Sequence, residues 1–236
     1  MNVEPDISIP DKPKGTDPVQ EFVFVIDDDI SVREGLTELI GALGMSVQAY
    51  QSAEEFLNKR PTHISGCIIL DVYMPGMTGL DLQRELNAAN VYLPIIFLTG
   101  RGDIPMTVHA LKAGAMHFLT KPVQEKDLTD ALQAALDAGR LERRGKAEVD
   151  EIRQRFTTLT PREREVMAFV VAGRLNKQIA PELAISERTV KLHRARVMQK
   201  MGVESLAELV KRAEKIGVGQ PRTKEPEVTK ATDIFH

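Results

Sequence analysis

The sequence has few of the features that mark secreted, disulfide-bonded or membrane-spanning proteins. Its one cysteine, Cys67, excludes a disulfide within the chain and favours a reducing compartment. We interpret Cys67 as a packing residue of a buried strand. No stretch approaches the roughly 18 apolar residues of a membrane span, and no basic segment followed by an apolar one opens the chain. These absences predict a cytoplasmic protein without a membrane partner.

Charges of opposite sign are separated along the chain. Residues 1–136 carry 10 Lys and Arg against 19 Asp and Glu, whereas residues 158–218 carry 12 against 7. An acidic first half and a basic second half suggest two tasks, the second of them on a polyanion. We therefore divide the chain into five segments. They are a flexible leader (residues 1–20), a first domain (21–137), a helical linker (138–157), a second domain (158–218) and a flexible tail (219–236).

The first domain is organised around the apolar stretch Gly66–Leu70. Asp71 follows this stretch directly, and Pro75 and Gly76 come soon after it. This pattern is typical of a strand that is buried on both faces and delivers a carboxylate to its C-terminal end. Ligands bind at that end in an open parallel sheet, so the position favours chemistry. The alternative is that Asp71 only caps a helix that begins near Thr78.

Further strands alternate with helical patterns, which predicts an α/β fold with a five-stranded, doubly wound parallel sheet. Ser31 is predicted to cap the first helix, and Ser52 the second, where Glu55 closes a capping box. The predicted strands are Phe22–Ile26, a segment around Val47, 66–70, Pro94–Leu98 and Met116–Leu119.

The polar residues that follow these strands are expected to gather on one edge of the sheet. They are Asp27, Asp28 and Asp29 after the first strand, Asp71 after the third, Thr99 after the fourth and Lys121 after the fifth. Adjacent carboxylates at the end of a buried strand repel one another unless a cation is present, and Mg²⁺ prefers hard oxygen ligands. Because a hydroxyl and an ammonium can bind phosphoryl oxygens, the edge predicts a site for Mg²⁺ and a phosphoryl group.

These residues, together with Met74–Gly76, Gly79 and Lys121–Pro122, resemble the receiver domains of two-component response regulators over residues 21 to about 136. The resemblance implies a flavodoxin-like fold in which Asp71 accepts a phosphoryl group from the phosphohistidine of a sensor histidine kinase. The implied Mg²⁺ ligands are Asp28, Asp71 and the backbone carbonyl of Tyr73, with Asp27 on a metal-bound water. The implied phosphoryl contacts come from Thr99 and Lys121.

Three positions bear on switching and on the lifetime of the phosphoryl group. Phe118 lies at the family's aromatic switch position, and a plain core residue of the fifth strand is an equally good interpretation. Tyr73 and Arg101 stand where other receivers carry residues that position the hydrolytic water, so the lifetime stays open. The protein is expected to be a phosphoacceptor transcription factor with at most slow self-dephosphorylation, and not an enzyme.

Residues 138–157 are charged and favour a helix that continues the last receiver helix, with breaks considered at Gly139 or Gly145. The second domain then opens on Thr160, Pro161 and Glu163, which predict a helix N-terminus with a capping box. A short helix, a tight turn and a basic helix over 187–201 follow. They predict an all-α helix-turn-helix domain whose second helix enters a major groove of DNA.

The second domain is similar to the LuxR-type DNA-binding domain, which implies double-stranded DNA as a partner. The matching residues are Leu159, Glu163, Gly173, Asn176, Ile179, Ala180, Leu183, Ser186, Thr189, Val190, His193 and Leu206. By resemblance, Lys191, Leu192 and Ala195 face base edges. Arg188 and Arg194 are assigned to phosphates. Pro181 departs from the usual helix-forming residue and is expected to kink or shorten its helix.

Together the two resemblances imply a response regulator of the FixJ/NarL type, similar in residues 102–106 and in the linker to FixJ, NodW and StyR. Phosphorylation is expected to promote a homodimer through a surface that includes Val108 and Lys112, and RNA polymerase is an expected partner. Two alternatives stay open. One is a phosphatase of the haloacid dehalogenase type, although Tyr73 stands where such enzymes carry a second acid. The other is a DNA-binding protein whose first domain dimerises without phosphorylation.

Overall fold

The computed structural model describes residues 20–60, 64–100 and 114–219. The chain divides into two compact units, with the boundary between Arg143 and Arg144. Arg101, residues 102–106, the predicted dimer residues Val108 and Lys112, and nearly all of the predicted leader and tail lie outside the described residues. No helix in the described ranges is both long enough and apolar enough to cross a bilayer.

The first unit contains a five-stranded parallel sheet with the strand order β2-β1-β3-β4-β5, which confirms the predicted doubly wound fold. The strands are β1 Phe22–Ile26, β2 Ser46–Tyr50, β3 Gly66–Asp71, β4 Ile95–Thr99 and β5 His117–Thr120. The helices of this unit are α1 Ile30–Ala42, α2 Ala53–Lys59, α3 Gly79–Ala88 and the first part of α4, which spans Glu125–Thr157.

All six residues of β3 are buried, because helices cover both faces of the sheet. Ile68 packs in a core with side chains of α2 and α3. Its neighbour Ile69 packs on the opposite face with side chains of α1 and α4. Cys67 is fully buried on that second face, and burial raises the pKa of its thiol to about 12. The interpretation of Cys67 as a packing residue is therefore confirmed.

One predicted helix cap and one predicted capping box are wrong, and one alternative is excluded. The N-cap of α1 is Asp29, which accepts a hydrogen bond from the Ser31 N–H at 2.8 Å, so Ser31 is inside the helix. Ser52 does cap α2, but the Glu55 carboxylate accepts from the N–H of Gln51 and closes no capping box. Helix α3 is capped by Thr78 in a capping box with Asp81. Asp71 is therefore free of a capping role.

Helix α4 runs without a break through both glycines at which a break was considered. A Cβ on Gly139 would lie 3.4 Å from the Gly66 carbonyl oxygen, which is an ordinary van der Waals contact, so this turn of the helix packs against the start of β3. Arg140 and Arg143 both donate to the Glu21 carboxylate just before β1. These contacts hold the helix against the first unit up to the boundary between the units.

The second unit is all-α, as predicted. After the end of α4 it contains α5 Pro161–Val171, α6 Asn176–Glu182, α7 Glu187–Met201 and α8 Leu206–Lys215. Thr160 and Glu163 form the predicted capping box of α5. Helix α6 contains Pro181 and ends one residue later, and Ala184 then adopts a left-handed conformation with φ of 52° in the turn before α7. The core of this unit includes Ile152 from α4, so the predicted linker contributes to its packing.

Candidate functional site

The carboxyl ends of β1 and β3 bring three acidic side chains together. Ile26 and Leu70 are paired across the two strands, so the residues that follow them, Asp27 and Asp71, lie side by side. Ligand oxygens of Asp27, Asp28 and Asp71 all lie within 4.8 Å of one another. Asp27 is fully buried and Asp71 is 8% exposed, whereas Asp28 is open to solvent. Three carboxylates in so small a volume require compensating positive charge.

Lys121 supplies one positive charge at the centre of this cluster. Its Nζ donates to Asp27 Oδ2 and to Asp71 Oδ2, at 2.7 Å in each case. Its backbone N–H donates to the Thr99 carbonyl at 2.8 Å, which positions it at the end of β5. Burial alone lowers the pKa of Lys121, but the hydrogen bonds to the two carboxylates outweigh that effect and raise the pKa. Lys121 therefore stays protonated at neutral pH.

The cluster suits a divalent cation. Burial raises the pKa of Asp27, while Lys121 and the Asp29 N–H, which donates to Asp27 Oδ1 at 3.0 Å, act in the opposite direction. With all three carboxylates ionised, Lys121 leaves two negative charges uncompensated. The donors are hard oxygens, and Asp28 is accessible to an ion that keeps part of its water shell, which matches the requirements of Mg²⁺. Asp27, Asp28 and Asp71 could therefore hold a divalent cation.

Three further predicted site residues border the cluster or the strands that carry it. The Tyr73 N–H donates to Asp71 Oδ1 at 3.2 Å, and the Tyr73 side chain is half exposed. Thr99 is 3% exposed at the end of β4, and its hydroxyl donates to the Gly100 carbonyl at 3.2 Å. Phe118 stacks on Phe97 with ring centroids 5.3 Å apart. This contact supports the core interpretation of Phe118 and leaves its switch role a prediction.

Sequence reasoning missed Arg33 and Glu54. Arg33 Nη1 donates to the Asp27 carbonyl at 2.7 Å. Glu54 accepts the N–H of Met77 at 2.9 Å and so holds the loop that follows Asp71. Arg33 carried one signal that could have been used. Helical side chains lean toward the N-terminus of their helix, so an arginine in the first turns after the acidic run points back toward that run.

The candidate DNA-binding residues all lie on α7, the second helix of the helix-turn-helix. Val190, Val197 and Met201 of α7 are buried. Arg194 is half-buried, and its guanidinium donates to Asn176 Oδ1 at 3.4 Å. The exposed residues of α7 include Arg188, Lys191, Leu192 and Ala195. Leu192 exposes 51% of its surface.

Comparisons with known proteins match both units. Residues 23–133 match the family model described as response regulator receiver domain. Residues 157–213 match the model described as bacterial regulatory proteins, luxR family. Nodulation protein W of Bradyrhizobium diazoefficiens is 45% identical over 207 residues, which are 88% of this chain and 91% of that protein. Response regulator protein TodT of Pseudomonas putida is 46% identical over 194 residues, covering 82% and 86% of the two chains. The structure of response regulator StyR is 47% identical with a TM-score of 0.75, covering 84% of this chain and 100% of StyR.

Proposed function

Because the chain belongs to the response regulators that join a receiver domain to a LuxR-type DNA-binding domain, we propose that Asp71 is its phosphoacceptor. The observation that carries the proposal is the Asp71 carboxylate, held within 4.8 Å of Asp27 and Asp28 and bonded to Lys121. A sensor histidine kinase supplies the phosphoryl group, and the phosphorylated protein controls transcription from DNA bound by the second unit.

In the proposed transfer, an Asp71 carboxylate oxygen attacks the phosphorus atom of a phosphohistidine. The new P–O bond forms as the P–N bond breaks, and the imidazole leaves with the electron pair and takes up a proton. When bound, Mg²⁺ neutralises charge between the carboxylates and the incoming phosphoryl oxygens. Asp28, Asp71 and the Tyr73 carbonyl are the proposed ligands, with Asp27 on a bound water. Lys121 and the Thr99 hydroxyl move from their present contacts to donate to the phosphoryl oxygens.

The family consists of transcriptional regulators and not of enzymes in the ordinary sense. We propose that slow hydrolysis of the aspartyl phosphate is the remaining activity. A phosphatase of the haloacid dehalogenase type is a poor alternative, because the position two residues after Asp71 is Tyr73 and offers no second carboxylate. The proposed location is the cytoplasm, where the DNA that the second unit binds is found.

Helix α7 is the proposed recognition helix. Lys191, Leu192 and Ala195 are proposed to face base edges, with Arg188 and Arg194 on phosphates. The exposure of four of these residues supports the proposal. Arg194 is half-buried and donates a hydrogen bond to Asn176. Its guanidinium therefore either contacts a phosphate with its remaining N–H groups or releases Asn176 to do so.

We expect Lys191→Ala to relax sequence preference and Arg188→Ala to weaken binding to all sequences. Loss of a base contact costs about 1–3 kcal/mol at one position of the site, whereas loss of a phosphate contact reduces the salt slope of log K by about one. The measurement is DNA affinity against salt concentration for sites selected from a random pool. Lys211→Ala on α8 is the charge-matched control. The reverse pattern for the two α7 variants would mean that the recognition face is misplaced.

We further propose that phosphorylation produces a homodimer and that the DNA-bound dimer acts through RNA polymerase. Val108 and Lys112 are the proposed dimer residues, although they lie outside the described residues. A symmetric dimer places two recognition helices on the half-sites of an inverted repeat.

Sedimentation velocity of the full chain is expected to show a monomer that becomes a dimer after treatment with Mg²⁺ and a small phosphodonor. Asp71→Asn, treated in the same way, is expected to stay monomeric. If the phosphorylated protein stays monomeric at micromolar concentration while it gains DNA affinity, release of an inhibitory contact between the domains is the better explanation. A dimer that forms equally without the phosphodonor would favour the alternative in which the first domain dimerises without phosphorylation.

A further inference from the structure

We propose that Arg33 is a positioning residue that holds the Asp27–Asp29 loop in the geometry needed to bind the divalent cation. This inference rests on the proposed Mg²⁺ site. Arg33 does not touch the ion or the phosphoryl group. It acts through the backbone of Asp27, the residue at which the chain leaves the sheet.

The position of Arg33 in α1 lets its side chain reach this backbone. The helix begins at Ile30 after the N-cap Asp29, so Arg33 is the fourth helical residue, and its N–H donates to the Asp29 carbonyl at 3.1 Å. Because helical side chains lean toward the N-terminus, the guanidinium extends back past the cap. Its Nη1 donates to the Asp27 carbonyl at 2.7 Å. One residue therefore bonds both ends of the acidic loop, through its backbone and through its side chain.

The Asp27 carbonyl needs a partner of this kind. The paired register of β1 ends at Ile26, and the Asp27 N–H still donates to the Tyr50 carbonyl at 3.3 Å. Beyond that point the chain turns into the acidic loop, and the carbonyl of a fully buried residue must be satisfied from outside the ladder. Arg33 satisfies it with a charged donor, and hydrogen bonds from a charged group are stronger than neutral ones.

The remaining bonds of the loop make its geometry depend on Asp27. The Asp29 N–H donates to Asp27 Oδ1, and the Asp29 carboxylate caps α1 through the Ser31 N–H. Asp28 lies between Asp27 and Asp29, both of which are held by these bonds. The backbone path fixed by Asp27 and Asp29 brings the exposed Asp28 carboxylate close to Asp71. If the Asp27 carbonyl is released, the peptide plane between Asp27 and Asp28 can rotate, and the Asp28 carboxylate loses its fixed direction.

Electrostatics alone predicts the opposite effect of removing Arg33. A guanidinium bonded to the backbone of the acidic loop repels a divalent cation bound there, so its loss should strengthen cation binding if charge were its only contribution. Loss of positioning should weaken cation binding. The sign of the change in affinity therefore separates the two roles.

The test is calorimetric titration of Mg²⁺ into the unphosphorylated full-length protein, since the chain has no tryptophan to report binding by fluorescence. We expect Arg33→Gln to bind Mg²⁺ about tenfold more weakly than wild type, as is typical when a residue that supports metal ligands is removed. Arg33→Lys keeps the charge on a shorter side chain and should fall between the two. Arg84→Gln makes the same charge change at an exposed position of α3 and should leave the affinity unchanged. Asp28→Asn should abolish the binding heat and so assign that heat to this site.

A second readout needs no metal. In ion-free protein, Arg33→Gln should shift the backbone amide resonances of Asp28 and Asp29, whereas Arg84→Gln should not. If Arg33→Gln binds Mg²⁺ as tightly as wild type or more tightly, the positioning role is wrong. If Arg33→Gln does not fold, Arg33→Lys decides, and wild-type affinity in that variant overturns the proposal. A wild-type protein without saturable Mg²⁺ binding would instead overturn the metal site itself, together with everything that rests on it.

Discussion

The variant Asp71→Asn is expected to incorporate no phosphoryl group when the protein is incubated with Mg²⁺ and a small phosphodonor such as acetyl phosphate. An amide oxygen carries no negative charge and is not a comparable nucleophile, so the loss should be complete and not partial. Asparagine has nearly the same shape as aspartate, and its carbonyl oxygen can still accept the Tyr73 N–H. The fold of β3 should therefore be kept. Intact-mass spectrometry under mildly acidic conditions measures the incorporation directly.

Asp29→Asn is a matched control for this experiment. Asp29 belongs to the same acidic run, but its carboxylate caps α1 and is not among the three clustered carboxylates. Asparagine is as good an N-cap as aspartate, so this variant should keep both the helix and the labelling. Undiminished phosphorylation of Asp71→Asn at the same site would refute the assignment of the phosphoacceptor. Loss of labelling in both variants would mean that the whole acidic run, and not Asp71 in particular, controls the reaction.

The largest expected effect on stability comes from Gly66→Ala at the first residue of β3. Gly66 has a φ of +135°, and a Cβ built on it would lie 1.7 Å from the Phe22 carbonyl oxygen in the adjacent strand. The position of the Cβ is fixed by the backbone of β3 and the oxygen belongs to the backbone of β1, so the clash cannot be relieved by a side-chain rotation. We expect the free energy of unfolding of the first unit to fall by more than about 3 kcal/mol.

Gly35→Ala makes the same chemical change with the opposite expected sign. Gly35 lies within α1 and has no atom within 4 Å of the position of its Cβ. Alanine there should stabilise the unit by about 0.5–1 kcal/mol, because it favours the helix over the unfolded chain. Hydrogen exchange of the β1 and β3 amides in the full chain reports this unit separately from the other. Wild-type exchange in Gly66→Ala would show that the strand adjusts more easily than its packing indicates.

The sheet and the main residues of its polar edge could be predicted because they follow from short-range patterns. Apolar runs such as 66–70 that end in polar residues specify buried parallel strands, and the carboxyl ends of such strands meet at one edge. Asp27 and Asp71 are therefore brought together by register alone. The composition of α7 likewise separates a buried face from an exposed basic one.

Features that depend on competition between equivalent residues, or on contacts distant in sequence, could not be predicted. Asp29 and Ser31 are equally good N-caps, and only the direction in which the chain leaves β1 selects Asp29. Gly139 favours a helix break in isolation, but its close approach to Gly66 and the pairing of Arg140 with Glu21 stabilise an unbroken helix. Tyr73 as a carbonyl ligand and Val108 with Lys112 as dimer residues stay predictions.

The burial of Cys67 has a practical consequence for spectroscopy. Only the thiolate reacts with maleimides and iodoacetamides, and a fully buried thiol with a pKa near 12 offers almost none at neutral pH. A cysteine introduced at a solvent-exposed position, for example in place of Leu141, which is 73% exposed, should therefore take a dye or spin label alone. Labelled variants can be made on the natural background, without a substitution at Cys67 that would leave a cavity in the sheet.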